Sequence, residues 1–233
     1  MTQLVLPVRL ADFARFDNFF VASANAASVF ALQQCARCQS EQWIFLAGNA
    51  GSGRSHLLQA TCQSAAESPL AADARYLPLG LLIEADAAEV LAGIEAARLV
   101  CFDDVDAIAG NDRWQEQLFH ALNRLRENHV SVVFAARQPP AGLDVRLADL
   151  TSRLAWSTVY RLGDLDDAQK SQLLQFRARC RAMSLPPEVA DFIVQRGERD
   201  LASLINTLDV IDQQTLAQSR RVTIPFVKSV LGW

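Results

Sequence analysis

A run of five apolar residues, Trp43-Ile44-Phe45-Leu46-Ala47, leads directly into Gly48-Asn49-Ala50-Gly51-Ser52-Gly53-Arg54-Ser55, and a helical pattern opens from Ser55 to Ala60. A continuous apolar run ending in glycine reads as a buried parallel strand. A glycine-rich turn between such a strand and a helix turns backbone N–H groups toward phosphate, where the helix dipole also favours negative charge. The octet fits G-x-x-x-x-G-K-[ST] except that the lysine is Arg54. In such loops the lysine sets a compact charge on the outer phosphates and the final hydroxyl, here Ser55, holds magnesium. Arginine keeps the charge but is larger, planar and forked, so the exchange is not conservative. Nucleotide binding is expected through Gly48, Gly51, Ser52, Gly53, Arg54 and Ser55, with rapid hydrolysis in doubt. His56 follows the loop and is read either as a nucleotide contact or as a capping and packing residue.

The 233 residues allow one medium domain and a small second one. A hydrophobic share of 51% against 21% charged residues is that of an ordinary globular protein. A net charge of −4 argues against broad, non-specific nucleic-acid binding, although a local basic patch is compatible with it. No apolar run is long enough to span a bilayer, and the first residues do not read as a secretion signal, so the cytoplasm is the expected compartment.

The five cysteines are scattered. Cys35 and Cys38 have C-x-x-C spacing, which suits zinc or redox chemistry, but no second pair or His-x-x-x-His partner accompanies them. Residues 24–38 read as one helix, which makes the two cysteines small hydrophobes on one face. None of the three histidines has metal-ligand spacing, and Trp114 reads as core or interface.

Further apolar strands are expected at Arg75 to Pro78, Arg98 to Asp103, Ser131 to Ala136 and Ser157 to Arg161. Helical patterns separate them, notably Ala87 to Ala96 and Trp114 to Glu127. Alternation of this kind predicts an α/β fold with a parallel sheet covered on both faces. Beyond about Leu162 no strand pattern remains. Asp166 to Met183 reads as helix, Pro186-Pro187 as a helix start, and Leu201, Leu204, Ile205, Leu208 and Ile211 as one apolar helix face. Thr223-Ile224-Pro225 reads as the entry to a last short helix.

The strand expected at Leu99 to Phe102 ends in Asp103-Asp104. An acid at that point holds magnesium opposite the loop hydroxyl, which makes Asp103 the metal candidate and Ser55 its partner. Asp104 stands where many ATPases keep a water-orienting glutamate, one methylene shorter. On their own, two aspartates merely end a strand; after a phosphate loop they read as a site.

Taken together these stretches resemble AAA+ ATPases of the DnaA clade, most closely the DnaA-homologous regulators of the Hda family, over nearly the whole chain. Phe16-Asp17-Asn18-Phe19 with Asn25 looks like the segment lining the adenine site. Gly53 to Leu58 resembles the Hda form of the phosphate loop, and Asp103 to Gly110 the Walker B region. Leu150-Thr151-Ser152-Arg153-Leu154-Ala155-Trp156 looks like box VII, and Thr223 to Val227 the end of the lid.

The resemblance implies an N-terminal clamp-binding tail (1–10), an AAA+ P-loop domain with a five-stranded parallel sheet flanked by helices (11–161), and a small all-helical lid domain (162–233). It implies that Phe16 and Phe19 line the nucleotide, and that ADP or ATP is the cofactor, with magnesium where the metal set is complete. It also makes Arg153 an arginine finger reaching a neighbour's ATP. Without the family, Arg153 reads as a surface or helix-pairing arginine. Gln3-Leu4-Val5-Leu6-Pro7-Val8 resembles the Q-L-x-L-x-[LF] peptide that docks on the bacterial sliding clamp, the DNA polymerase III beta subunit; Gln3, Leu4, Leu6 and Val8 are the contact residues. Taken alone, that hexapeptide is an edge strand or a frayed tail.

The implied partners are the clamp, the initiator DnaA, DNA mainly through the clamp, and a second copy of the chain as a homodimer. DnaA continues past its lid into a DNA-binding domain whereas this sequence stops at Trp233, so a negative regulator of replication initiation is expected, not an initiator. Two positions depart from the family. The acid of the sensor strand is replaced by Arg137, and the lid's sensor arginine falls on Ala202, with Arg199 only a weak substitute. An ADP-bound or weakly hydrolysing site is the expectation, beside two alternatives: an ATPase of helicase-loader or switch type, and a nucleotide-free adaptor.

Overall fold

The computed structural model describes residues 14–39, 41–68, 72–198, 200–218 and 220–233. The expected clamp-docking residues Gln3, Leu4, Leu6 and Val8, and also Arg199, lie outside them. The chain divides into two compact units, 1–163 and 164–233.

In the first unit, helix α1 (Ala26–Cys35) precedes strand β1 (Trp43–Ala47), and the glycine loop leads to α2 (Arg54–Ala66). Strand β2 (Ala74–Pro78) is followed by two short helices, α3 (Leu79–Leu82) and α4 (Ala87–Val90), and then by β3 (Leu99–Asp103). Helix α5 (Asp112–Glu127), β4 (Ser131–Ala136), α6 (Ala148–Leu154) and β5 (Thr158–Arg161) complete it. The five strands are parallel in the order β2-β3-β4-β1-β5. The expected five-stranded parallel sheet is therefore present.

Strand alternation places two cores on its two faces. On one face Trp43, Phe45, Val100, Phe102, Val132 and Phe134 pack under α5 and α6. On the other, Ile44, Leu46, Leu99, Cys101, Val133 and Ala135 meet α1 and α2. Phe45, Phe134 and Phe102 stack across three neighbouring strands, with centroids 5.9 and 5.6 Å apart. All three are fully buried, and removing such a ring costs about 3–5 kcal/mol. Trp114 belongs to the same core, its Nε1 donating to the Ile83 carbonyl at 3.0 Å.

Two helical expectations change. The pattern from Ala87 to Ala96 breaks after Val90: Asp86 caps a single turn by accepting from the Ala88 and Glu89 amides, and Gly93 at φ 66° redirects the chain into a 3-10 turn, Ile94–Ala96. Helix α1 ends at Cys35, so Cys38, at φ 51°, lies beyond it in a left-handed turn, not on its face. Both thiols are nonetheless buried, and burial pushes Cys35 up to about 12. Among the described residues no group of three or more His, Cys, Asp and Glu is placed to hold a metal ion, and the described cysteines are free.

The second unit is all helical: α7 (Asp167–Cys180), α8 (Pro187–Arg196), α9 (Leu201–Gln218) and α10 (Ile224–Leu231). Asp166 and Gln169 form a reciprocal capping box on α7, each side chain accepting from the other's backbone amide at 2.8 and 3.0 Å. Thr223 caps α10, which stops at Gly232 with φ 70°. Leu204, Leu208 and Ile211 of α9 are the buried members of the expected face, with Leu201 and Ile205 at its margins. They close on Leu174, Val189, Ile193 and Phe226. No described helix is long and apolar enough to cross a membrane.

Candidate functional site

The glycine loop follows β1 without a break. The Gly48 amide bonds the Ala136 carbonyl of β4 at 3.2 Å, tying the loop to the end of the neighbouring strand. Gly51 and Gly53 have φ of 77° and 90°, a region that costs L side chains dearly. A Cβ on Gly53 would lie 2.6 Å from Cε2 of Phe19, and one on Gly48 would lie 2.7 Å from Ser52 Oγ. Gly53 thus combines left-handed backbone with a close neighbour, while at Gly48 a side chain would have to displace the Ser52 hydroxyl.

Phe19 therefore covers the loop's last glycine, and its ring is 5.6 Å from that of His56. His56 Nε2 donates to the Arg15 carbonyl at 2.9 Å, fixing the tautomer and fastening the 3-10 turn Phe16–Asn18 to α2. Phe16 and Phe19 are half-buried against the α1–α2 core. Ser55 is exposed in the first turn of α2.

Arg54 is 7% exposed. Its Nη2 faces Asp104 Oδ1 at 3.6 Å, while Nη1 is buried with no hydrogen-bond partner among the described residues. Ser52 Oγ, two residues earlier, is in the same condition. Buried donors without acceptors are costly and uncommon. A phosphate would supply what both lack, so these residues fit an anionic phosphate ligand.

Asp103 ends β3 and is 1% exposed. Its Oδ2 accepts from the Tyr76 hydroxyl at 2.8 Å and its Oδ1 from the Asp104 amide at 2.9 Å. Burial and then the Asp103 charge raise the Tyr76 phenol well above its ordinary value. Asp104 sits in left-handed backbone at φ 50°. Burial and the adjacent Asp103 raise its pKa, against the opposing pull of Arg54. Beyond it, Arg137 at the end of β4 faces Asp106 at 3.6 Å while remaining 70% exposed. The residues expected for magnesium, Ser55 and Asp103, are one hydroxyl and one carboxylate already engaged by protein donors, and Asp104, in the water-orienting position, faces Arg54. This set suits a magnesium ion only as the companion of a phosphate that brings further oxygens.

Arg153 lies on α6, whose approach is set by Gln115 of α5. That amide, 1% exposed, accepts from the Arg146 and Leu147 backbone at 2.9 and 3.1 Å and donates to the Ile108 carbonyl. The Arg153 Nε donates to Asn123 Oδ1 at 2.8 Å, and its guanidinium stands 4.1 Å from the Trp156 ring centre and 5.6 Å from that of Phe119. Trp156 is half exposed and also lies under Arg126. The cation is thus oriented by one hydrogen bond and two aromatic faces. Asn123, Phe119 and Tyr76 were not among the sequence candidates. For the first two a signal exists, since residues 119 and 123 are four apart and share a face of α5.

Ala202 is exposed near the start of α9, in the helical unit.

Comparison with known proteins agrees with this architecture. Residues 10–161 match the model of the bacterial DnaA ATPase domain, and residues 167–231 that of the Hda lid domain. Domain III of the Thermotoga maritima replication initiation protein DnaA is similar with a TM-score of 0.83, at 20% identity over 97% of this chain and 98% of that one. The AMPPCP-bound DnaA of Aquifex aeolicus matches at 0.75, with 21% identity over 87% of this chain and 66% of its own. The Thermotoga maritima RuvB Holliday junction branch migration motor matches at 0.70, with 15% identity over 94% and 71%. At such identities the three structures speak for the fold. The two family models cover most of the sequence, and the chain belongs to the DnaA-like AAA+ family, with the bacterial DnaA ATPase domain followed by an Hda-type lid.

Proposed function

We propose that this protein is a regulator of chromosome replication initiation that promotes hydrolysis of the ATP held by DnaA. Arg153 is supplied in trans as the arginine finger while the protein is docked on the DNA-loaded sliding clamp through Gln3, Leu4, Leu6 and Val8. A guanidinium spreads its donors over the charge that develops on the transferred phosphoryl oxygens. Fingers of this kind accelerate hydrolysis roughly 10³–10⁵-fold. The chain's own site holds ADP with little turnover.

The observation that carries this reading is the Arg54–Asp104 pair. The cation of the loop and the acid in the water-orienting position are turned on one another at 3.6 Å, whereas Arg153 stands preoriented on Asn123 and Trp156. Catalytic charge is thereby muted in the chain's own site and kept available at α6. When bound, the nucleotide would be held by the loop amides, Ser52 Oγ and the Arg54 guanidinium, with Phe16 and Phe19 beside it. Magnesium would enter with it at Ser55 and Asp103.

The test is release of phosphate from ATP-bound DnaA in the presence of clamp and DNA. Arg153→Ala should abolish the stimulation and leave clamp binding intact, and Gln3→Ala with Leu6→Ala should abolish both. Unchanged stimulation by Arg153→Ala overturns the mechanism. The same unpartnered donors, Ser52 Oγ and Arg54 Nη1, favour a second reading, an ATPase working on its own nucleotide. Turnover by the purified protein with ATP and magnesium would establish it.

A further inference from the structure

The helical unit carries a concavity unrelated to any nucleotide residue. It opens between the turn after α7, the last turns of α9 and the strand-like approach to α10, and encloses about 650 Å³. Its lining is of two kinds. Met183, Val222 and Leu216 supply an apolar floor and wall, with Leu216 left 74% exposed. Arg181, Arg220 and Arg221 stand around it.

The local charge is positive. Arg181 is paired with Asp209, and Asp212 is the carboxylate on the lining. Arg221 has no ion-pair partner among the described residues, and Arg220 has only the Phe226 ring at 5.7 Å. This end of the unit therefore departs from a chain whose overall charge is −4. A solvated helix terminus explains the arginines of α7 through its dipole, but explains neither Arg220 and Arg221, which follow α9, nor the uncovered leucine.

We infer that this concavity binds an acidic peptide segment of a partner protein, an aliphatic side chain entering between Met183, Leu216 and Val222 while flanking carboxylates pair with Arg220 and Arg221. Guanidinium groups match carboxylates in forked geometry, and an apolar pocket ringed by charge is the usual form of a peptide anchor site. Nucleic acid fits less well. No aromatic side chain lines the cavity on which a base could stack, and phosphate backbones gain nothing from an aliphatic floor.

The probe is a short fluorescein-labelled peptide with two leucines flanked by aspartates and glutamates, titrated with the full-length protein by fluorescence anisotropy. Saturable binding is expected. Arg221→Glu and Leu216→Glu should each weaken it at least about tenfold, a difference near 1.4 kcal/mol. Replacing the peptide's carboxylates by amides, or its leucines by serines, should do the same. Thermal unfolding of each variant should match the unaltered protein, because both side chains are exposed; if one variant fails to fold, the other and the two altered peptides still decide. The inference is overturned by no saturable binding, by affinity unchanged in the folded variants, or by equal binding of the amide peptide. Tighter binding of a single-stranded oligonucleotide that the same substitutions abolish also overturns it.

Discussion

Arg54 and Asp104 face one another across 3.6 Å, joining the phosphate loop to the residue just past the acidic strand end. The arrangement explains how an arginine that is 93% hidden from solvent is tolerated: one nitrogen has a counter-charge and the other awaits an acceptor. It also makes the loop's cation and the neighbouring acid respond to ligands as a pair.

Removing either member should produce opposite ligand responses. In Arg54→Ala, ADP should bind at least about tenfold more weakly, because a charge-assisted contact to phosphate is lost. In Asp104→Asn the guanidinium loses its counter-charge while the phosphate contact remains. The ADP-induced rise in melting temperature should therefore be larger than in the unaltered protein. Differential scanning fluorimetry with and without ADP measures both.

Acid dependence follows from Asp104. Its folded pKa is raised above the ordinary 3.8, first by burial and then by Asp103. Between the two values the folded state holds the proton more tightly than the unfolded one, so unfolding free energy falls as pH rises through that window. The penalty is absent below 3.8 and complete above the raised value. Urea unfolding across the acid range should show Asp104→Asn lacking this slope, its advantage over the unaltered protein growing as pH increases.

Tyr76→Phe isolates a single hydrogen bond. The hydroxyl donates at 2.8 Å to a carboxylate that is 1% exposed, and such bonds to charged groups are worth about 1.5–3 kcal/mol. Chemical denaturation should show a loss of that order, with the midpoint moving and the slope unchanged.

Gly53→Ala should fail for two separable reasons. The backbone at φ 90° costs a β-carbon roughly 1–3 kcal/mol, and the new methyl meets Phe19 at 2.6 Å. Combining it with Phe19→Ala relieves only the contact. The double variant should therefore recover part of the stability lost by Gly53→Ala, while ADP titration by calorimetry stays weak in both.

The residues that made the sheet legible are those with no polar alternative. Trp43 to Ala47 and Ser131 to Ala136 are strands over the expected residues because short, β-branched and aromatic apolar stretches bounded by turns suit central strands buried on both faces. The apolar face of α9 was readable for the analogous reason at helical spacing. Ala87 to Ala96 misled because a four-residue turn and a longer amphipathic helix share the same local composition, and Gly93 decides between them. Cys38 misled because spacing alone does not reveal where α1 ends.

At the site, the loop glycines and Asp103 were readable from their order along the chain. The partners that define their chemistry were not. Tyr76 and Asp103 meet through β2–β3 pairing, and Arg153 and Asn123 through the packing of α6 on α5, contacts between positions 27 and 30 residues apart. No local pattern encodes such distances.

The strand order has one more consequence. Because β4 lies between β1 and β3, the loop that follows β1 and the acid that ends β3 are separated by two interstrand spacings, roughly 10 Å. Backbone hydrogen bonds set that slot, and no side chain is needed to hold it open. Side chains such as Arg54 and Arg137 can therefore change what lies at the slot's edge while the frame itself keeps its width.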